Sequence, residues 1–200
     1  MSLQIYKPNS KNAGCAASFQ ISEKAGQEPV FYINCIAQHS WNEKQKTGSF
    51  AESRKDPSKT IAIKFNEFEL GEIVNAIQQK SAYSTYHSND TNKTTIRITP
   101  FERVKGTGDF VVKYIAFGFG FTRNGSDQFK VPLEPGEGIR LIAFINKYFS
   151  LVDDFRLAAT KANYSKEAGS KTPFQPATQK TAPQKAPTPT PAPVEEDDSF

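Results

Sequence analysis

In the stretch Lys113-Tyr-Ile-Ala-Phe-Gly-Phe-Gly-Phe-Thr-Arg123, strand alternation places Lys113, Ile115, Phe117, Phe119, Phe121 and Arg123 on one face. Tyr114, Ala116, Gly118 and Gly120 fall on the other. Aromatic faces stack on planar π systems and cations pair with anions, so the chemistry offered is non-covalent capture of something both flat and negatively charged. Two placements serve the phenylalanine stripe. The rings can fill a core, which three adjacent phenylalanines on one face favour, leaving the glycine face for a nucleotide to approach. Alternatively, rings such as Phe119 are themselves stacking platforms between Lys113 and Arg123, with Tyr114 nearby.

Rings and cations are interleaved elsewhere too. Trp41, the sole tryptophan, heads a polar stretch containing Lys44, Lys46, Arg54, Lys55 and Lys59, where it is either a stacking residue or a lid over one end of the core. Tyr83, Tyr86 and His87 lie in Ser-Ala-Tyr-Ser-Thr-Tyr-His-Ser, whose scarcity of aliphatics marks a solvent-facing surface. Arg97 alternates with Ile96 and Ile98 and so points toward water, Arg103 and Lys105 border the Gly106-Thr-Gly108 turn, and Lys64 adds a further cation. Covalent chemistry leaves no comparable trace. The chain has no P-loop, HExxH motif or nucleophile elbow, and its two histidines, His39 and His87, are far apart. Glu67, Glu69 and Glu72 sit where carboxylates favour the start of a helix. Cys15 and Cys35 lie in apolar strand-like stretches without a CxxC spacing and read as reduced core residues. The expectation is a non-enzymatic binding protein with no cofactor and no metal.

Positioning these residues requires sheets. Apolar alternation predicts strands near residues 3 to 6, 16 to 22 and 29 to 38, a long exposed loop from Trp41 to Lys59, and a strand from Thr60 to Phe65. Asn66 with Glu69 predicts a helix start, and Leu70, Ile73, Val74 and Ile77 supply its apolar stripe. The order then repeats, with strands near 81 to 88, 93 to 101, 109 to 123 and 127 to 131. A helix from Pro135 to Phe155 follows, with Ile142, Ile145, Phe149 and Val152 as its stripe. Phe68-Glu69-Leu70-Gly71-Glu72 is echoed by Leu133-Glu134-Pro135-Gly136-Glu137. The fold class is therefore α+β, mainly β: two four-stranded antiparallel sheets, each followed by a helix, with a disordered C-terminal tail. A five-stranded oligonucleotide-binding barrel is the alternative.

The first 160 residues form the binding domain, and 161–193 a disordered linker that holds seven of the 13 prolines among Lys, Thr, Ala and Gln. Residues 194–200 end in an acidic tip, Glu195, Glu196, Asp197, Asp198, Ser199 and Phe200. With the four tip carboxylates set aside, the preceding 194 residues carry 25 basic and 17 acidic side chains, a surplus of eight positive charges that suits a polyanion. A terminal ring beside the free α-carboxylate offers a partner pocket both an apolar group and an anion. No charged segment with an apolar core opens the chain, and no apolar run is long enough to span a membrane, so the expectation is a soluble, cytoplasmic protein without membrane contact.

The tip and linker resemble those of bacterial and phage single-stranded-DNA-binding proteins, in which a DNA-binding body leads through a linker to acids and a final Phe. Ser199 stands where that family usually has proline, and the linker is not glycine-rich. The resemblance implies recruitment of replication, recombination or repair proteins through Glu195 to Phe200, and autoinhibition when DNA is absent. The order of four strands, helix, four strands, helix and tail resembles the Whirly fold and its relative, the single-stranded-DNA-binding domain of transcriptional positive cofactor four. The lysine-glycine motif of plant Whirly proteins is absent. This second resemblance implies sequence-tolerant binding of single strands across the sheet surfaces, often in a homo-oligomer. The rival readings are an RNA-binding or strand-annealing protein on the same sheet chemistry, and an adaptor that binds only proteins.

Overall fold

Strands form where apolar and polar residues alternate most strictly. The computed structural model describes residues 1–106 and 111–170, with the backbone alone at 127 and 165–170. The first sheet comprises β1 (Ser2–Lys7), β2 (Cys15–Ser22), β3 (Val30–Ala37) and β6 (Thr60–Phe65) in the order β1-β2-β3-β6. A small hairpin of β4 (Ser40–Asn42) and β5 (Thr47–Ser49) interrupts it. After helix α1 (Glu67–Gln79), β7 (Tyr83–Ser88), β8 (Lys93–Lys105), β9 (Val112–Arg123) and β10 (Asp127–Leu133) make the second sheet in the order β10-β9-β8-β7. Helix α2 (Pro135–Ser170) follows. All pairings are antiparallel. Both large sheets are open, with free edge strands, so the barrel alternative does not describe this chain.

The chain divides into two units, Met1–Ala162 and Asn163–Phe200. Within the first, one core is closed between the inner sheet faces and the helices. Phe19 and Phe119, from different sheets, lie nearly parallel with centroids 6.0 Å apart, and Phe65 and Phe121 also meet Phe119. Each such ring contributes roughly 2 to 3 kcal/mol through burial, which decides the fate of the phenylalanine stripe. Phe117, Phe119 and Phe121 are 4%, 1% and 1% exposed, so they are core, and Phe119 is withdrawn from any binding surface. The apolar stripe of α2 lies slightly round from its predicted line. Leu141, Phe144, Ile145, Tyr148 and Val152 are buried, and Ile142 and Phe149 only partly.

Helix α1 starts at a reciprocal capping box. The Glu69 N–H donates to Asn66 Oδ1 at 2.9 Å, and the Asn66 N–H donates to Glu69 Oε2 at 3.1 Å. At the start of α2 the Glu134 N–H donates to Glu137 Oε2 at 2.7 Å. Glu69 therefore corresponds to Glu137, three positions from where the sequence echo aligned it.

Other expectations need correction. The predicted loop from Trp41 to Lys59 contains the β4–β5 hairpin and two short 3-10 turns. Its turn is made by Asn42 Oδ1, which accepts from the N–H groups of Lys44 and Gln45, and by Lys46 at φ 52°. Strand β8 runs to Lys105, beyond the predicted end at residue 101, because its residues 101–105 pair with Val112–Ala116 in an arm where they are exposed and the apolar alternation lapses. Residues 161–170, assigned to the linker, continue α2. The rest of the linker, the acidic tip and the turn at 107–110 lie outside the described residues.

Candidate nucleic-acid interface

With odd residues of β9 in the core, its even residues face outward, and two of them are glycine. Register then builds a surface around them. Gly120 pairs with Arg97 on one side and Lys130 on the other, and Gly118 pairs with Thr99 and Pro132. Two strand spacings set the backbones at Arg97 and Lys130 about 10 Å apart, with bare backbone between. A Cβ added at Gly118 or Gly120 would meet nothing closer than 3.8 Å. Neither glycine is demanded by backbone strain; each leaves the floor low. The result is a hollow of about 590 Å³ lined by the sheet and, on one wall, by Lys7, Asn9, Ala13 and Gly14.

That wall is held by a buried amide. The Gln38 side chain accepts from the Asn9 N–H at 2.8 Å and donates to the carbonyl oxygens of Asn9 (2.9 Å) and Ser40 (3.0 Å). A Cβ on Gly14 would come within 2.3 Å of Gln38 Oε1, so glycine is required for the loop to fold this closely. Lys7 is tied to Glu137 at 2.7 Å, whereas Arg97 and Lys130 are exposed and have no carboxylate partner among the described residues. Among the described residues, no carboxylate lines the hollow.

Rings flank the floor. Phe101, 38% exposed, lies over the approach to Gly118, and Tyr86, 55% exposed, stands on the same sheet face but on the edge strand β7, opposite Thr95 and two strands from β9. Tyr86 faces outward because its neighbours in β7 are committed inward. Thr85 Oγ1 donates to Glu69 Oε1 at 2.9 Å, and His87 Nε2 donates to the same oxygen at 2.6 Å. Burial raises the affinity of Glu69 for a proton, but the hydrogen bonds from Asn66, His87 and Thr85 outweigh it and hold the carboxyl below its ordinary range.

The structure separates the remaining sequence candidates. His87 and the half-buried Tyr83 belong to the face turned toward α1, not to the surface of Tyr86. Arg123 donates to the carbonyl oxygens of Thr60 (3.0 Å), Pro57 (2.9 Å) and Ser58 (3.2 Å), clamping the second sheet to the turn before β6. On the hairpin arm, Arg103 pairs with Glu134 and Lys113 with Glu102, and Lys105 is exposed. Tyr114 donates to Glu134, which pushes its hydroxyl pKa up. Lys46 and Lys55 pair locally with Glu43 and Glu52, while Lys44 is exposed on the β4–β5 turn. Trp41 is half-buried on the β4–β5 hairpin, opposite Gly48, with Nε1 enclosed and without a hydrogen-bond partner among the described residues. Arg54 and Lys64 border the outer face of the first sheet.

Of the sequence candidates, Arg97 and Tyr86 thus meet at one surface. Lys130, Phe101 and the loop at Asn9 were missed. Lys130 was legible, since it alternates with Phe129 and Val131 as Arg97 does with its isoleucines. Phe101 was not, because it lies where β8 passes beyond its neighbour β7. Among the described residues, no group of three or more His, Cys, Asp or Glu could hold a metal ion.

Neither a scan against protein-family models nor a search of curated proteins finds a match. Solved structures do match. The crystal structure of WHY1 from Arabidopsis thaliana aligns with 88% of this chain and 96% of its own, at 11% identity and a TM-score of 0.51. The structure of the plant transcriptional regulator PBF-2 covers 80% and 86%, at 10% identity and a TM-score of 0.49. WHY3 from Arabidopsis thaliana covers 86% and 97%, at 11% identity and a TM-score of 0.47. The described body has the Whirly-like architecture of two antiparallel sheets with helices.

Proposed function

We propose that this chain binds single-stranded DNA with little dependence on sequence, seating unpaired bases over the Gly118–Gly120 floor against Phe101 and Tyr86, with phosphates on Arg97 and Lys130. The observation that carries the reading is the register that sets two cations, without carboxylate partners among the described residues, on either side of a side-chain-free floor, with exposed rings on the same sheet face. A paired helix hides its base faces and cannot use those rings, whereas each base stacked on a ring contributes roughly 1 to 3 kcal/mol. The positive surplus of the body and the single-strand binding implied by the Whirly resemblance point the same way.

The proposal extends to context. The protein acts without catalysis in DNA replication, recombination or repair in the cytoplasm of a bacterial or phage-infected cell, as a homo-oligomer. Its tip, Glu195 to Phe200, recruits partner proteins. Two measurements on full-length protein and on a chain lacking Val194 to Phe200 test the two parts: titration against oligo(dT), duplex DNA and RNA of equal length at several salt concentrations, and co-purification of partner proteins. The expected outcome is preference for the DNA single strand, binding that weakens steeply with salt, and truncation that preserves affinity while abolishing co-purification of partners. Preference for duplex, or no binding in dilute buffer, would overturn the DNA reading. RNA preference would assign the surface to an RNA reader, weakened DNA binding after truncation would contradict autoinhibition by the tip, and partners that still co-purify with the truncated chain would refute the tip's recruiting role.

A further inference from the structure

The outer face of the first sheet is built from a different chemistry. Register sets Gln4, Ser18, Asn34 and Ala62 in one row across its four strands, and Ser2, Gln20, Tyr32 and Lys64 in the next. Ala16, Ala17 and Ser18 leave room beside the amides of Gln4, Gln20 and Asn34, which line a shallow hollow of about 250 Å³. Tyr6, 54% exposed, meets Phe50 edge-on at one rim with centroids 6.0 Å apart, and Arg54 lies in the same rim. Among the described residues, no carboxylate lines this hollow.

The amides are only partly used. Tyr6 donates to Gln4 Oε1 at 3.2 Å, which leaves the Gln4 N–H groups available. Gln20 Nε2 donates to Ser18 Oγ at 3.0 Å, leaving its carbonyl oxygen and one N–H. The Asn34 amide has no partner among the described residues. A carboxamide presents a donor and an acceptor side by side, the arrangement that pairs with N6 and N7 of adenine. The glycine hollow also has two carboxamides in its lining, but Asn9 Oδ1 already accepts from the Lys11 and Ala13 N–H groups, so of the two Gln128 alone offers an open donor and acceptor there, against three amides on this face.

We propose that the outer face of the first sheet is a second contact surface for the same single strand, on which Asn34 and Gln20 hydrogen-bond adenine edges while Arg54 and Lys64 hold the backbone. This rests on the single-strand reading above and adds to it a base preference. The chain then has a sequence-tolerant face that supplies affinity and an amide face that reads adenine.

The test compares wild type with Gln20→Ala, Asn34→Ala and the double variant, titrated with repeating CA and repeating CT single strands of equal length at two salt concentrations. Thermal melting confirms that each variant is folded. The double variant is expected to lose roughly tenfold in affinity for the CA strand, the discrimination of about one good bidentate pair. Its CT affinity and its salt dependence should stay within about twofold of wild type, because phosphate contacts set those. Unchanged CA binding by the folded double variant, or equal losses on both strands, would overturn the base-reading face. A wild-type protein that binds neither strand would instead overturn the single-strand reading beneath it.

Discussion

At the scale of single residues, what separates a binding cation from a structural one is its company. Arg97 and Lys130 have no carboxylate beside them among the described residues, whereas Arg103 and Lys113 are engaged by Glu134 and Glu102. Exposed ion pairs of that kind contribute little to stability, about 0 to 1 kcal/mol, but each competes with phosphate for its cation. Arg97→Ala and Lys130→Ala are therefore expected to weaken binding to oligo(dT) several-fold. Each should lower the slope of log affinity against log salt by about 0.7 if one phosphate contact is lost. Arg103→Ala should change both far less. Equal effects from all three in a salt-series titration would show that general charge, not the glycine floor, carries the binding. Residue type alone could not make this distinction, since every one of these side chains reads as a basic residue near an aromatic one.

At the scale of elements, alternation and capping signals were enough for the two sheets and for α1, because inward-facing β-branched and aromatic residues leave one register open to each strand. Asn66 and Glu69 also announced their helix. What stayed hidden depended on partners distant in sequence: His87 and Tyr83 are polar-stretch residues that turn inward because Glu69, on α1, meets β7 there. Glu69 thus joins three tasks, closing the cap with Oε2, accepting from β7 with Oε1 and thereby turning Tyr86 outward. Its carboxyl titrates below the ordinary value of 4.5, so its stabilisation is fully present above that pH and is lost as pH falls further through the folded-state value. Glu69→Gln should melt earlier than wild type at neutral pH, by the equivalent of about 1 to 3 kcal/mol for unsatisfied partners. The gap should close as the solution is acidified below 4.5. A gap independent of pH in a melting series would mean that the lost contribution is packing and not charge.

At the scale of the whole molecule, one core between two sheets leaves a hollow on each outer face: glycines, cations and a ring with the amides of Asn9 and Gln128 on one, and the amides of Gln4, Gln20 and Asn34 on the other. The alternation of β9 makes both the core stripe and the open glycine face readable from the amino-acid sequence alone. Which strands flank that face, and hence which cations reach it, depends on the sheet order. The bare floor is the feature on which binding rests, and Gly120→Thr tests it most directly, with oligo(dT) affinity and melting temperature measured together. The new Cβ meets only Phe129 O at 3.9 Å, and a β-branched residue suits a strand, so the variant should fold with a melting temperature equal to or above wild type. It should nevertheless bind the single strand markedly less well, because the hollow between Arg97 and Lys130 is filled. A folded, stable Gly120→Thr protein that binds oligo(dT) as tightly as wild type would contradict the central claim.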